Sequence, residues 1–424
     1  MASKTQKGFS DFDLEIEDFE IKKADELITR LYSVGPGGSI HCVPLIMHNT
    51  VYFGSGDHYV YALDCATGNL AWKFKTDDQV FGNPPVISGD ALYIGNRGGS
   101  FYALDAKTGS FLWRSKAGSG WVSKALAKQD VIFYCSTDDN VYCIDEGKGS
   151  EIWRFRTGGP VFYAPCEWQG KLYFGSNDGN FYCVDATNGR EIWRFKTGDE
   201  VLSEAPSSIY DGVVYFASMD NNLYAIDATT GKELWRFKTG KYGNSFAPVM
   251  HEKILYHGSR DGILYALTPD GKEIWRFRAG GLVATGVLVH KGRMYLGSED
   301  FNLYCLDLKT GREIWRFRTS GQVWSPPSLW HDLLFFGSWD CHLYCLDLNG
   351  REKWRFATSD KTACRVDPPY KIFEMVVKKS FDEDEESKDK YDLDFSGRLG
   401  SDVYSVKSEY VVETTYATKK DYGN

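Results

Sequence analysis

The side chains best suited to chemistry in this chain are its eight histidines and ten cysteines. The histidines are His41, His48, His58, His251, His257, His290, His331 and His342. None falls in a His-x-x-x-His pair or any other metal-ligand spacing, so each reads as a strand or loop residue. Four cysteines, Cys143, Cys183, Cys305 and Cys345, recur at one repeating position, and Cys135 stands where related segments carry Gly. The remaining five, Cys42, Cys65, Cys166, Cys341 and Cys364, share no spacing, and no Cys-Cys dipeptide occurs. That pattern predicts reduced thiols and a cytoplasmic protein rather than a disulfide framework. Arg97-Gly-Gly-Ser100 has the glycines of a phosphate cradle but reads as a hairpin turn, lacking the helix such a cradle needs. No catalytic constellation emerges.

The elements that would position any site are far more legible. Trp72, Trp113, Trp153, Trp193, Trp235, Trp275, Trp315 and Trp354 recur every 39 to 42 residues. Each lies in one motif, clearest in Leu223-Tyr-Ala-Ile-Asp-Ala-Thr-Thr-Gly-Lys-Glu-Leu-Trp-Arg-Phe-Lys-Thr-Gly240. Within a period, β-branched and aromatic runs such as Lys171-Leu-Tyr-Phe-Gly175 alternate with Gly/Asp/Asn turns. Four short strands per period make one propeller blade. A Gly after the motif's Asp or Thr is present in all eight units (Gly68, Gly109, Gly149, Gly189, Gly231, Gly271, Gly311, Gly350) and is expected to supply a positive-φ turn. Ala62, Ala103, Ala225 and Ala266 alternate with the four repeating cysteines at a small buried site, over which the Trp is expected to lie and staple one blade to the next. The Arg of Trp-Arg-Phe should point outward from an exposed edge strand, where charge discourages aggregation.

The pattern Leu-Tyr-Ala-x-Asp-x-x-x-Gly-x-x-x-Trp-x-Phe resembles the tryptophan-docking repeat of the pyrroloquinoline-quinone-like β-propeller family. The resemblance covers roughly residues 37–358 and implies an all-β, eight-bladed propeller of four-stranded antiparallel blades. The family includes quinoprotein dehydrogenases for alcohols and sugars and cofactor-free scaffolds, and the motif is common to both. The resemblance implies that a quinone site needs a flat aromatic floor, a calcium ion held by Asp, Glu and Asn, and commonly a vicinal cysteine pair. That pair is missing here. The loop after each Trp and the start of the next inner strand should lie nearest the axis. They give His41, Phe81, Asn83, Lys124, Tyr163, Glu204, Ser245, Thr285 and Trp324 as candidate axial-channel residues. One carboxylate, Glu204, and one ammonium, Lys124, make a poor calcium cage. The reading is a non-catalytic scaffold that binds a protein or ligand without cofactor or metal. A dehydrogenase using pyrroloquinoline quinone (PQQ) with calcium is the alternative, and an axial small-molecule sensor a second.

Charge and the chain ends agree. The net charge of −9 divides into −3 for residues 1–36, −4 for residues 359–424 and −2 for the repeats between. No basic stripe invites nucleic acid. The first residues hold no apolar signal-peptide core, and no 18-residue apolar run predicts a membrane span. Asp11–Ile21 and Ser401–Thr418 alternate as strands do, and are expected to pack on the ring's edge or dock a partner. Ser380–Asp394, with ten charges in fifteen residues, reads as a solvated loop.

Overall fold

The computed structural model describes residues 38–358, apart from 81, 83, 119, 203–207, 245 and 284–285. The strands expected at Asp11–Ile21 and Ser401–Thr418, and the loop at Ser380–Asp394, lie outside the described residues. Eight four-stranded antiparallel sheets follow one another along the chain. Blade 1 spans residues 45–75, blade 2 86–116, blade 3 122–156, blade 4 166–196, blade 5 208–238, blade 6 249–278, blade 7 288–318 and blade 8 328–357. The strands of each sheet are hydrogen-bonded in chain order. The first and innermost strand is only three residues long in seven blades, as with Leu45–Met47, and seven in blade 3, Val122–Lys128. The result is an eight-bladed β-propeller. Among the described residues no helix is long and apolar enough to cross a membrane.

The two central strands of each blade are almost wholly buried, as in Thr50–Gly54 and Tyr59–Asp64. Each hydrophobic cluster joins two neighbouring blades: Tyr173, Phe181 and Cys183 of blade 4 pack with Phe216, Tyr224 and Ile226 of blade 5. Cohesion therefore lies between blades rather than within one central core.

The tryptophans staple neighbours, but not where the sequence suggested. Ala62 and Cys183 are the cross-strand partners of Trp72 and Trp193 in their own sheets. Each indole instead covers the turn Gly of the next blade. A methyl group on Gly109 would meet the Trp72 ring at 2.6 Å, and one on Gly231 the Trp193 ring at 2.6 Å. Gly231 also has φ +70°, so two constraints exclude other residues there. The indole N–H then donates across the joint, from Trp72 to Ala106 O at 3.1 Å and from Trp193 to Ala228 O at 3.2 Å.

The outermost strands carry the expected exposed Arg, and add a device. In blade 3 the Arg154 guanidinium is held by Glu151 at 2.6 Å and sits over the Tyr142 ring at 5.3 Å. Tyr142 donates in turn to Asp138 at 2.7 Å.

Candidate functional site

The loop linking one blade to the next is fixed from both ends. A Thr after the outermost strand ties the loop in both directions: the Thr76 hydroxyl lies within hydrogen-bond reach of His58 O (2.9 Å) and Asp78 O (2.6 Å) and shares its one proton between them. Farther on, a β-branched residue plugs the previous blade's second strand, where a methyl on Gly54 would lie 2.1 Å from Val80 Cγ1 and one on Gly337 2.3 Å from Ile40 Cγ2. Gly admits the closest approach there, and blades 3 and 5 carry the small residues Cys135 and Ala217 at the same place. The residue after each plug is thereby held at the start of the next blade, as His41 is after Ile40 and Trp324 after Val323.

Four of the nine sequence candidates are described: His41, Lys124, Tyr163 and Trp324. Phe81, Asn83, Glu204, Ser245 and Thr285 lie outside the described residues. His41 and Trp324 come together, with ring centroids 6.1 Å apart at 81°. Trp339 completes the group, 4.5 Å from His41 and 5.1 Å from Trp324. Sequence reasoning missed Trp339, whose one signal was that it falls outside the 40-residue tryptophan register. Trp339 is 8% exposed, and its indole nitrogen and the Ser325 hydroxyl are both buried without a hydrogen-bond partner. Tyr163 and Lys124 belong to blades 4 and 3 instead. Tyr163 packs on Phe162 at 6.2 Å, and Phe162 on Trp121 at 5.7 Å.

Burial, and secondarily the Arg97 charge, hold His41 well below the ordinary histidine range, so its imidazole is neutral at physiological pH. The ring exchanges a hydrogen bond with the Ser39 hydroxyl at 2.7 Å. Burial also lowers the Lys124 ammonium. Sequence reasoning missed two loop carboxylates. Glu200 accepts from Asn177 at 3.2 Å and is raised by burial and by Asp199, and Glu299 is buried. Among the described residues no three His, Cys, Asp or Glu side chains converge as metal ligands. Trp324 and Trp339, tilted 43° to each other, offer aromatic surface but no single flat floor, and the described residues do not fit the calcium cage of a quinone site.

The cysteines divide unequally. Cys42, Cys65, Cys135, Cys143, Cys166, Cys183, Cys305 and Cys345 are free, and burial pushes the Cys42 thiol up to about 12, which makes it a poor nucleophile. Cys341 is disulfide-bonded, a departure from the all-reduced expectation.

A family model described as outer membrane protein assembly factor BamB matches three overlapping segments, residues 56–162, 137–276 and 260–372. No curated protein matches the chain. Among solved structures, BamB from Moraxella catarrhalis is 20% identical with a TM-score of 0.59, covering 72% of this chain and 91% of its own. The quinohemoprotein alcohol dehydrogenase ADHIIG from Pseudomonas putida HK5 is 15% identical with a TM-score of 0.62, covering 76% of each chain. The computationally designed Ika8 protein is also 15% identical, with a TM-score of 0.65, and covers 74% of this chain and 98% of its own. An assembly factor, an oxidoreductase and a designed protein thus share this architecture, and likeness at these identities speaks for the fold alone. The matched segments run through most of the propeller, and the chain belongs to the family described as outer membrane protein assembly factor BamB, within the PQQ-like β-propellers.

Proposed function

We propose that this protein is a non-catalytic propeller scaffold whose partner is another protein. The observation that carries this reading is the donor set of the described blade-linking loops, whose carboxylates Asp77 and Glu200 are taken up by neighbouring amides and hydroxyls rather than gathered at one point. A calcium-bound quinone needs several anionic oxygens around the metal. The described loop residues instead place the Arg97 charge beside His41, and a desolvated Lys124 in the next blade but one. The absence of a Cys-Cys pair and the match to the assembly-factor family lean the same way. Reconstitution with PQQ and calcium, followed by dye-coupled assay with alcohols and sugars, tests the reading. No turnover above a heat-denatured control is expected. Turnover that is lost in Glu204→Gln would overturn it.

A second reading is a small-molecule sensor, favoured by one feature. The Trp324–Trp339–His41 group with its unpartnered Trp339 N–H could stack a flat guest bearing a hydrogen-bond acceptor.

A further inference from the structure

Lys124 breaks the repeat at a place where other blades put small or apolar residues. It lies in Val122–Lys128, the innermost strand of blade 3. Each inner strand pairs with the second strand in one register: Leu126 stands opposite Phe133, as Cys166 does opposite Tyr173 and Leu45 opposite Tyr52. Two residues before that pair come Val43, Pro84, Ala164, Ala247, Gly286 and Pro326 in six other blades, and Lys124 in blade 3. Small residues suit the place because the inner strands converge on it. A methyl on Gly286 would lie 3.7 Å from Pro326 of the next blade.

The Lys124 side chain faces blade 4. Ala125 and Ala127 pack into the cluster shared with blade 2, whereas Leu126 packs into the one shared with blade 4, and Lys128 pairs with Glu167 there. Strand alternation puts Lys124 on the Leu126 side, level with Tyr163 and Ala164. That seam is aromatic: Trp121 meets Phe162 edge-on at 5.7 Å, and Phe162 meets Tyr163 at 6.2 Å. Unlike Lys128, Lys124 has no carboxylate beside it among the described residues; burial alone acts on its ammonium and lowers it. The residue is still part-exposed, so a guest can reach it.

A buried ammonium without a counter-charge is costly, and a lysine so placed is more readily the free amine, its nucleophilic form. A guest can relieve that cost in two ways. An anion would pair with the ammonium, but would itself have to be desolvated. A carbonyl compound would consume the amine and leave an imine, which apolar surroundings keep neutral. We propose that Lys124 captures an aromatic aldehyde as a reversible imine, with the ring lodged against Phe162 and Tyr163. The nitrogen lone pair adds to the carbonyl carbon, and a proton on nitrogen passes to the carbonyl oxygen. The carbinolamine then loses one water to give the C=N bond. Water added back releases the aldehyde, so the capture needs no oxidant or reductant, and neither a protein partner nor a quinone.

The probe is benzaldehyde at less than one equivalent of the full chain, with cyanoborohydride at neutral pH to fix each imine as a benzylamine. Tandem mass spectrometry of the digest reads which amines carry it. Lys124 should take the label at least about ten-fold faster than Lys232 in its exposed turn, as a desolvated amine does. The preference for benzaldehyde over formaldehyde, which has no ring to lodge, should be larger at Lys124 than at Lys232, and should shrink in Tyr163→Ala. Label spread evenly over the exposed lysines of the parent would overturn the proposal, as would one and the same aldehyde preference at both sites. Calorimetric binding of benzoate that is lost in Lys124→Met, with no labelling preference for Lys124, would assign the ammonium to an anion and overturn it too. All of these readouts run without quinone or calcium, so their failure leaves the scaffold reading standing, and quinone turnover beside selective labelling removes that reading alone.

Discussion

A single carboxylate organises the turn between the second and third strands of seven blades, and the eighth shows how the role can migrate. Asp138 accepts from Tyr142 at 2.7 Å and from Gly118 N at 2.9 Å, tying the hairpin to the loop leaving the previous blade. Asp178 and Asp220 repeat the arrangement with Tyr182 and Tyr224. In blade 2 that position is Gly98, and Asp77 supplies the carboxylate from the loop side, accepting from Asn96 at 2.5 Å and Ser100 at 2.8 Å while its own N–H donates to the Tyr102 hydroxyl at 3.1 Å. Asp77→Gly should therefore cost about 1–3 kcal/mol in chemical denaturation, the range for stranding buried polar groups. Adding Gly98→Asp should recover most of the loss. Additive losses in that double-mutant cycle would show that the two sites are not exchangeable. The sequence motif did not display this Asp or its substitute, because Asp77 lies 21 residues before Gly98, in the loop leaving blade 1. A pH dependence belongs at the equivalent turn of blade 8. A hydrogen bond to Asp340 raises His342 above its ordinary range, against opposing burial. Burial pushes Asp340 up, but hydrogen bonds from His342, Tyr344 and Ser320 N outweigh it and hold the carboxyl below its usual range. A raised histidine contributes stability in full below its unfolded value near 6.5 and loses it as pH climbs through the folded value. The stability gap between the parent and His342→Asn should thus be widest below about pH 6.5 and shrink as pH rises above it. A gap that widens with rising pH would mean the neutral ring is the bonded form.

Joints between blades are repeated elements, and one of the eight departs in kind. Most are apolar, with a Val or Ile plug against a small strand residue. Between blades 5 and 6 the plug is Asn244, which bonds the Thr239 hydroxyl at 2.9 Å and the His257 ring at 3.1 Å. Both Asn244 and His257 are fully buried. Burial drives His257 down to about 3, and its Nδ1 has no partner. Phe53, Phe174, Phe216 and Phe336 occupy its place in other blades. Asn244→Val alone should destabilise by about 1–3 kcal/mol, since it leaves a buried imidazole N–H unmatched. Together with His257→Phe the change should be neutral or stabilising, because both partners then become apolar. Urea denaturation decides; a double variant as weak as the single one would show that the seam depends on more than this pair. Joints of this kind were half legible in the sequence. The tryptophan spacing showed that something staples neighbouring blades, and the Ala/Cys alternation showed a small buried site. That the small site and the Trp face each other within one sheet, while the indole covers the next blade's Gly, depends on registers that no one-dimensional period carries.

At the scale of the molecule, the number of blades was legible and the manner of closure was not. Eight tryptophans announce eight blades. The contacts that close the ring join residues about 290 or more positions apart, where no local pattern reaches. Among the described residues every blade is built from its own four consecutive strands. The last joint instead reuses the internal one. Trp354 covers Gly68, where a methyl would meet it at 2.7 Å, and donates to Cys65 O at 3.2 Å. Ile40 plugs Gly337, its N–H donates to Ser338 O at 3.2 Å, and the Thr358 hydroxyl donates to Gly38 O at 2.7 Å. Ile40, Val51, Phe53 and Cys65 share one buried cluster with Phe335, Leu343 and Cys345. An open array would treat its terminal joint as expendable, since an end repeat has a neighbour on one side only. A closed ring has no such end. Trp354→Ala should therefore cost the same as Trp193→Ala in the middle of the chain, about 3–5 kcal/mol each for truncation of a packed indole. Both variants should melt in a single transition lowered by a similar amount. A parent-like melting temperature for Trp354→Ala beside a strongly lowered one for Trp193→Ala would show that the seam between blades 8 and 1 opens in solution.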